Sequence, residues 1–386
     1  MRIGIDYTAA VRQGAGIGRY CRELVKALTR QKDDHEYVLL VAGRLRDQEM
    51  AALRAELGDS PRFHLRPLWL SERWLSRLWH RLQTPWPVEA VAGRLDLFHS
   101  PDFTLPPVWR AKTILTVHDL SFLRVPQYAE PSLRAYLEQA VSRSVRQADL
   151  VLADSQNTKE DVVELLRVPA ERVWVVPAGV EPRFRRVTGD AELARVRQAY
   201  GLTRPFILSV GTLQPRKNFA GLIKAYHLLR ARQHVPHQLV IVGGKGWLYE
   251  PILRCVAELG LQEEVRFLGF VADADLPALY SLADLFAWPS FYEGFGIPVL
   301  EAMACGTPVV ASNVSSLPEV VGDAGLMVPP ADREALAEAL QRLLTDATLR
   351  ADLIARGHAQ AARFTWERAA QLLLQAYRHV AATLPD

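Results

Sequence analysis

The chain has 386 residues, of which 49% are hydrophobic and 23% are charged. These fractions are close to globular averages and exclude a mainly disordered, collagen-like or coiled-coil chain. Lysine and arginine number 46 against 43 aspartate and glutamate residues, so the net charge of +3 does not indicate a nucleic-acid partner. Because single cores tend to split beyond roughly 250–300 residues, the length predicts two or three domains.

The cysteines and the N-terminus both indicate a reducing, cytoplasmic environment. Cys21, Cys255 and Cys305 are the only cysteines, and their spacing fits neither a disulfide framework nor a zinc motif. The first residues predict a buried strand rather than the apolar region of a signal peptide. No run reaches the ~18 apolar residues of a membrane span, so we expect any membrane contact to be peripheral.

Short β-rich runs alternate with amphipathic stretches along the whole chain, which predicts parallel sheets with helices on both faces. The pattern breaks near Pro177, Gly179 and Pro182. We therefore expect two doubly wound α/β domains, over residues 1–178 and 179–365, and a final helix within 366–386 that packs toward the first domain. The predicted strands are Arg2–Asp6, Tyr37–Val41, Leu95–His99, Thr113–Val117, Leu150–Ala153, Val173–Val176, Phe206–Val210, Leu239–Val242, Val265–Leu268, Leu285–Trp288, Pro308–Ala311 and Gly325–Val328.

Ligands of such sheets bind beyond the carboxyl ends of the strands, so the loops there are the expected site, in a cleft between the two domains. The first such loop contains Gly14, Gly16 and Gly18 and precedes a predicted helix. It fits either a phosphate loop or a flexible turn. Arg19 replaces the third glycine of a dinucleotide fingerprint, which disfavours a nicotinamide-dependent oxidoreductase.

Residues 62–94 are rich in arginine and tryptophan. Over Ser71–Leu82, five apolar residues fall on one helical face, and Arg73, Arg77 and Arg81 fall on another. Two interpretations remain open: an amphipathic helix at a membrane surface, within a contact over residues 69–86, or an ordinary helix packed on the N-terminal sheet.

Two further loops carry charged or polar groups at strand ends. His118 and Asp119 follow a predicted strand, where the imidazole could bind a sugar hydroxyl or stabilise charge, and Asp119 could orient it or cap a helix. Arg216 and Lys217 lie between Gly211 and Asn218, the expected helix N-cap. Two cations at a helix N-terminus oppose the helix dipole, and a bound phosphate would resolve that conflict.

The segment from Glu293 to Glu301 is the most specific pattern. Its two carboxylates lie eight residues apart across a predicted loop and helix start, with Gly294 and Gly296 leaving backbone amides accessible. Carboxylates are bidentate acceptors for vicinal hydroxyls, as in ribose or a hexose. Asp273 and Asp275 form a D-x-D pattern, but they precede a predicted helix and are better explained as caps, so we predict no metal.

With these motifs in this order, nearly the whole chain resembles the retaining glycosyltransferases of family 4, which have the GT-B fold of two Rossmann-like domains. The E-x7-E pattern of Glu293 and Glu301 carries the resemblance, together with the early glycine loop, the His118–Asp119 pair, the Arg216–Lys217–Asn218 turn and the segment Gly306–Ala311.

The resemblance implies a role for each matching residue. Gly16 and its neighbours, including Gly18, would face the donor diphosphate. Arg216 and Lys217 would hold it, and Gly211 of the same loop would also belong to the donor site. Glu301 would bind the ribose and Glu293 the donor sugar, beside the amides of Phe295 and Gly296. His118, next to Asp119, would reach the donor sugar. Gly269, Phe270 and Val271 would meet the nucleobase.

The resemblance also implies transfer of a hexose with retention of configuration, from a nucleotide sugar that is a substrate rather than a cofactor. The expected sugar is mannose and the expected donor is GDP-mannose, with UDP-glucose as the nearest competing donor. The expected acceptor is a saccharide or a lipid-linked saccharide of polysaccharide assembly, with possible attachment at the inner face of the plasma membrane. A non-catalytic module that binds sugar nucleotides is the alternative from another class.

Overall fold

The computed structural model describes residues 1–14, 16–58, 60–82, 84–233 and 235–382. The chain divides into two compact units. The first unit contains Met1–Leu123, Pro131–Gly179 and the segment that begins at Trp366. The second unit contains Arg124–Glu130 and Val180–Thr365. Each unit is built around its own parallel sheet.

The first unit has seven parallel strands in the order β3-β2-β1-β4-β5-β6-β7. The strands are β1 (Arg2–Asp6), β2 (Glu36–Val41), β3 (Phe63–Pro67), β4 (Leu97–Ser100), β5 (Lys112–Val117), β6 (Leu150–Ala153) and β7 (Val173–Val175). Six of them were predicted, with β4 starting two residues later than expected. The edge strand β3 was not predicted, because only Phe63 of its five residues is buried and it lacks a continuous apolar run.

The helices of this part of the chain connect successive strands. They are α1 (Thr8–Arg12), α2 (Ile17–Thr29), α3 (Asp47–Glu56), α4 (Glu72–Ser76), α5 (Glu89–Ala92), α6 (Ser121–Arg124), α7 (Pro131–Gln147) and α8 (Gln156–Leu166). The short helix α1 lies between β1 and the glycine loop, where no helix was expected.

The predicted helix over Ser71–Leu82 is interrupted. After α4 the chain forms a wider π-helical turn, Arg77–Arg81, which shifts the positions that face inward. As a result Leu75 and Trp79 are buried while Trp74 and Leu82 are exposed. The prediction of one continuous apolar face was therefore wrong.

The second unit has six parallel strands in the order β10-β9-β8-β11-β12-β13. The strands are β8 (Phe206–Val210), β9 (Gln238–Val242), β10 (Val265–Gly269), β11 (Leu285–Trp288), β12 (Val309–Ser312) and β13 (Gly325–Val328). All six lie within one residue of the predicted ends. These runs were readable because a parallel sheet covered on both faces needs continuous apolar residues.

The helices that follow are α9 (Asp190–Ala199), α10 (Phe219–Arg232), α11 (Glu250–Glu258), α12 (Leu276–Leu282), α13 (Ile297–Ala304), α14 (Leu317–Val321), α15 (Arg333–Thr345), α16 (Ala347–Ala361) and α17 (Trp366–Ala381). Within the described residues, no helix combines the length and the apolar character that crossing a bilayer requires. The alternation of strand and helix in both units confirms the predicted doubly wound α/β class.

Helix α17 packs within the first unit. The Oη of Tyr377 lies 2.9 Å from Nδ1 of His99 on β4, and the ring of Trp366 packs edge-on against Tyr20 at 5.6 Å. Burial lowers the pKa of His99 to about 3, so this imidazole is neutral. The last four residues of the predicted 366–386 segment lie outside the described residues.

Candidate active site

The main cluster of polar groups lies in the second unit, where β8 and β11 are neighbours in the sheet. The loop after β8 carries Arg216 and Lys217, and the loop after β11 carries Glu293. The two loops are joined by a backbone hydrogen bond of 2.9 Å from Phe291 N to Arg216 O. Adjacent parallel strands therefore bring together side chains that are more than seventy positions apart in sequence.

Glu293 is buried between two cations. The Nζ of Lys217 lies 2.7 Å from both of its carboxylate oxygens, and Nη1 of Arg216 lies 3.2 Å from Oε2. The hydroxyl of Ser290 donates to Oε1 at 2.6 Å. Burial alone would raise the pKa of Glu293, but Lys217 and Arg216 outweigh it and hold the pKa below its usual value. The carboxylate is therefore ionised, and the three side chains together carry a net charge of +1.

This arrangement refines the expectation for the cationic turn. Glu293 supplies one anion to Arg216 and Lys217, and the remaining positive charge can attract a further anion such as a diphosphate. Arg216 is also fixed by a 2.6 Å bond from Nη1 to the carbonyl of Tyr292. Because these groups are held before any ligand arrives, little reorganisation is needed when charge develops on a bound phosphate.

Trp288, which the sequence did not single out, forms one wall of this cluster. The Nζ of Lys217 lies 4.8 Å from the centre of the indole ring, within cation–π range. A Cβ atom added to Gly211 would lie 2.5 Å from the indole Cη2, so only glycine fits against the ring. Gly211, predicted to bind the donor, thus has a packing role that is independent of any ligand.

Two serines after β12 form hydrogen bonds to the backbone of the Glu293 loop. The Oγ of Ser315 accepts the backbone N–H of Glu293 at 2.9 Å. The Oγ of Ser316 lies 2.9 Å from the carbonyls of both Glu293 and Phe295. The sequence analysis assigned neither serine to the site. They show that the loop is positioned by the neighbouring strand end.

Asn218 stands at the predicted N-cap of α10 but does not cap it through its side chain. Its backbone is left-handed, with φ of 57°, and its Nδ2 donates to the carbonyls of Pro289 at 2.9 Å and Pro330 at 2.7 Å. The predicted N-cap position is therefore confirmed, but the side chain makes no capping bond. The side chain instead ties the loops after β11 and β13 to the start of α10.

Glu301 lies on the buried side of α13, at its fifth residue. Its Oε2 accepts a 2.8 Å hydrogen bond from the hydroxyl of Tyr280 on α12, which the sequence analysis did not identify. The carbonyl of Tyr280 in turn accepts from Thr307 at 2.6 Å. The orientation of Glu301 is therefore set by a neighbouring helix rather than by the helix start alone.

The prediction of accessible amides at Gly294 and Gly296 was wrong. Gly294, Phe295 and Gly296 are all buried. Gly296 adopts φ of 110°, and a Cβ there would approach Leu317 Cδ2 to 2.9 Å. Phe295 packs edge-on against Phe364 at 5.6 Å. This covering side-chain layer explains why the glycines do not open the helix N-terminus to solvent.

The predicted nucleobase loop follows β10, at the edge of the sheet. Gly269 ends the strand with φ of 68°, Phe270 is 78% exposed, and Val271 is buried. The loop can therefore offer a base both the flat face of the exposed Phe270 ring and its own backbone groups.

The D-x-D pattern lies at the start of α12, as predicted, but neither aspartate makes a capping bond. Asp275 is in the N-cap position of α12 without a capping bond, and it instead accepts from Arg195 and, at 2.7 Å, from the hydroxyl of Tyr200. Asp273 lies 3.4 Å from Arg183. Among the described residues, no group of three or more His, Cys, Asp or Glu side chains could hold a metal ion.

In the first unit, His118 follows β5 and is buried with both ring nitrogens engaged. Nδ1 lies 2.8 Å from Oδ2 of Asp154, and Nε2 lies 2.7 Å from the carbonyl of Pro101. Both partners are acceptors, so both nitrogens carry hydrogen and the ring is an imidazolium. Burial lowers the pKa of His118, but the carboxylates of Asp154 and Asp102 outweigh it and raise the pKa to about 9.

Asp119 accepts the backbone N–H of Ser121 at 2.8 Å, at the start of α6. Of the two roles considered for it, local capping is therefore the observed one, and Asp154 orients His118. No sequence motif pointed to Asp154, because it lies on the loop after a different strand, β6. The buried carboxylate is close only because β5 and β6 are paired.

The glycine loop precedes α2. Gly16 is the exposed N-cap, with φ of 56°, and a Cβ there would meet nothing within 4 Å. Gly18 is buried, and its Cβ would approach Gln13 O to 2.1 Å and Ala9 O to 2.6 Å. Gly18 is therefore required for close packing of α2 on α1, whereas Gly16 remains open toward solvent. Ala15, between the loop glycines, lies outside the described residues.

Family models match both parts of the chain: Glycosyltransferase Family 4 over residues 14–184 and Glycosyl transferases group 1 over residues 191–360. The chain is 36% identical over 372 residues to O-antigen chain mannosyltransferase B of Escherichia coli, covering 94% of this chain and 96% of that protein. It is 35% identical over 271 residues to the serotype-specific mannosyltransferase WbdA of Escherichia coli, spanning about a third (33%) of that protein's length.

Solved structures share the architecture at low identity. A sucrose-phosphate synthase from Thermosynechococcus elongatus has a TM-score of 0.75 at 23% identity, covering 99% of each chain. HepE of Anabaena, solved in complex with UDP and glucose, has a TM-score of 0.74 at 20% identity, covering 98% of this chain and 99% of that one.

Proposed function

We propose that this chain, which belongs to the group 1 glycosyltransferases of family 4, transfers mannose from GDP-mannose to a saccharide acceptor and releases GDP. That it is a glycosyltransferase of the GT-B class follows from its family. The donor base, the sugar and the residue roles are our proposal. The observation that carries the proposal is the buried cluster of Glu293, Lys217 and Arg216 at the edge between β8 and β11.

The cluster suits the departure of a diphosphate. Cleaving a sugar–diphosphate bond builds negative charge on the phosphate and positive charge on the sugar ring. Lys217 and Arg216 would stabilise the former, and the carboxylate of Glu293 lies next to them for the sugar hydroxyls or the developing ring charge. Because these groups are preorganised, the stabilisation is available at the moment of reaction.

The lowered pKa of Glu293 also bears on the proton. A carboxylate held below its usual pKa by two cations is a weak base and stays ionised at neutral pH. It is therefore poorly suited to deprotonate the acceptor. The departing phosphate is the better proton acceptor, in keeping with front-face attack and retention of configuration.

Glu301 is proposed to bind the ribose, with its orientation set by Tyr280, and the loop from Gly269 to Val271 to meet the base. His118 is proposed to contribute a fixed positive charge and, through its bonds to Asp154 and Pro101, to hold the carboxyl end of β5 in place. Since both its ring nitrogens already face acceptors, donating to a sugar hydroxyl would require it to release the carbonyl of Pro101.

The similarity to O-antigen mannosyltransferases over nearly the full chain supports mannose as the sugar. It also supports an acceptor of the kind found in polysaccharide assembly, a saccharide or a lipid-linked saccharide. Exposed tryptophans and arginines within residues 69–86 support peripheral contact with a membrane that carries such an acceptor. UDP-glucose is the competing donor, because HepE, which shares the fold, is solved with UDP and glucose.

A thermal-shift panel with GDP, UDP, ADP and dTDP tests the donor. A nucleotide that binds only the folded protein raises the unfolding temperature by an amount that grows with the ratio of its concentration to its Kd, so at equal concentrations GDP should give the largest shift. A larger shift with UDP would replace GDP-mannose by a UDP-sugar. Stabilisation by NAD and by no nucleoside diphosphate would contradict the proposal as a whole.

Turnover separates an enzyme from a binding module. Purified protein should release GDP from GDP-mannose, slowly with water and faster with a mannose-terminated oligosaccharide. Binding of GDP without any release under either condition would identify a non-catalytic module instead.

A further inference from the structure

Eight large apolar side chains are exposed among the described residues, and four of them lie in two neighbouring segments of the first unit. Trp69 is 67% exposed, Trp74 55%, Leu82 69% and Trp109 73%. The first three belong to the segment 69–86. Trp109 belongs to the loop between β4 and β5, a different part of the chain that the sequence analysis did not connect with it.

The two segments are joined by direct contacts. Val88 N donates to Pro107 O at 2.9 Å. The carboxylate of Glu89 accepts the backbone N–H groups of Trp109, Arg110 and Ala111 at 2.9 to 3.1 Å. Glu89 thus folds the 109–111 turn, with the exposed Trp109 and Arg110 on it, against the end of the 69–86 segment.

Trp86 connects the same region to the exposed tryptophans. Its ring lies 6.5 Å from that of Trp69, and its carbonyl accepts the indole N–H of the buried Trp79 at 2.9 Å. Trp86, at the end of the 69–86 segment, is therefore held by a ring contact with Trp69 and a hydrogen bond from Trp79.

Arginines accompany the exposed rings. Arg73, Arg77, Arg81 and Arg110 are all exposed, and within the described part of the chain none of them forms an ion pair with an acidic side chain. Arg77 lies over the ring of Trp74 at 5.3 Å, and Arg110 lies over that of Trp109 at 5.0 Å. Glu72 and Glu89 are the acidic residues of residues 69–89, and the carboxylate of Glu89 is occupied by backbone N–H groups.

We propose that these two segments form one docking surface for an anionic phospholipid bilayer, with Trp109 and Arg110 as its second anchor. The inference rests on the proposed lipid-linked acceptor. Tryptophan favours the interface between water and acyl chains, and arginine attracts anionic headgroups. Four exposed arginines against the one exposed carboxylate of Glu72 make the charge of this surface complementary to a bilayer rich in phosphatidylglycerol, whose headgroups can rearrange to meet the arginines.

Flotation with vesicles tests the surface. The full chain should bind vesicles of phosphatidylglycerol and phosphatidylcholine and bind pure phosphatidylcholine much more weakly. Trp109→Ala combined with Arg110→Glu should weaken that binding about tenfold or more, since one arginine near an anionic surface alone contributes about fivefold. Arg73→Glu, Arg77→Glu and Arg81→Glu together should weaken it further.

Matched controls place equal changes elsewhere. Arg54→Glu, on the exposed face of α3, changes the same charge, and Leu248→Ala removes a large exposed apolar side chain from the second unit. Both should leave vesicle binding within about twofold of the parent. The GDP-induced thermal shift of each variant, measured on the same samples, reports whether the protein is folded and whether the proposed donor site is intact.

Unchanged vesicle binding in the Trp109→Ala, Arg110→Glu variant would show that Trp109 and Arg110 do not anchor the protein to the bilayer. No binding of the parent to anionic vesicles, with a normal GDP shift, would overturn the membrane surface while leaving the glycosyltransferase proposal in place. A dimer that is lost in the same variant, without vesicle binding by the parent, would assign the surface to a second copy of the chain and contradict the bilayer.

Discussion

The Nζ of Lys217 lies 2.7 Å from both carboxylate oxygens of Glu293 and 4.8 Å from the centre of the Trp288 ring. A lysine is normally a mobile point charge on a flexible stem. Here one side of the ammonium is fixed by a carboxylate and another by an indole face. The charge that the mechanism needs is thereby held in one place before the donor binds.

Replacing Lys217 by alanine should therefore impair both donor binding and transfer. Loss of a preorganised charge that stabilises a developing oxyanion costs about 100-fold to 1,000-fold in kcat. Steady-state kinetics with GDP-mannose measure this loss. The matched control is Lys224→Ala on α10, which removes a lysine outside the cluster and should leave kcat/KM nearly unchanged. An equal loss in both variants would show that the effect is not local.

Alanine substitutions at Glu293 and Glu301 should affect different quantities. Glu301→Ala should weaken GDP binding about tenfold, as expected for a lost pair of hydrogen bonds to ribose. Glu293→Ala should mainly slow transfer, because its removal raises the net charge of the cluster from +1 to +2 and does not disfavour a diphosphate. Titration calorimetry with GDP and turnover assays test the pair. Equal and negligible effects on both quantities would refute the assignment.

Tyr280→Phe removes the hydroxyl that donates to Glu301 and little else. If Tyr280 positions this carboxylate, the KM for the donor should rise about fivefold to tenfold while kcat changes little. Tyr226→Phe is the control, since that buried hydroxyl donates to the carbonyl of His237 in the same unit at 2.7 Å. Both variants should lose similar stability. A rise in KM that is common to both would indicate a structural effect rather than positioning.

The protonated His118 predicts how stability depends on pH. The pKa of His118 in the folded protein, about 9, is above the ordinary value of 6.5. The contribution of His118 to the free energy of unfolding is therefore fully present below pH 6.5 and is lost as the pH rises through 9. Asp154 and Asp102 are the charged groups that raise the pKa of His118, and burial raises the pKa of both carboxylates.

Thermal unfolding of the parent and of His118→Gln between pH 6 and pH 10 measures this effect. The parent should lose more stability than the variant over that range, because glutamine does not titrate. A difference between the two midpoints that stays constant with pH would show that His118 is neutral in the folded protein.

Much of the fold was readable in the sequence because both sheets are parallel and covered, which gives strands as continuous apolar runs. Strand β3 was missed because an edge strand needs fewer buried residues. Asn218 and Asp275 were assigned the correct positions at helix starts but the wrong bonds. A cap can be predicted from local sequence, whereas the competing partners, Pro289 and Pro330 for Asn218 and Tyr200 for Asp275, come from distant segments.

The site residues that the sequence suggested were those within motifs. That Glu293 contacts Lys217 depends on the adjacency of β8 and β11, which is a property of strand order and not of either loop. Trp288, Tyr280, Asp154 and Ser315 were missed for a related reason. Each supports a motif residue from another element, and a single sequence contains no signal that links the two.

The position of α17 has a consequence for the order in which the chain folds during synthesis. Its Tyr377 contacts His99 on β4, and its Trp366 contacts Tyr20 on α2, so the first unit contains residues from both ends of the sequence. The second unit is complete once Thr365 has left the ribosome, whereas the first unit also needs α17. The unit that begins to be synthesised first is therefore the one that finishes folding last, and a nascent chain stalled before Trp366 would leave Tyr20 and His99 without their contacts to α17.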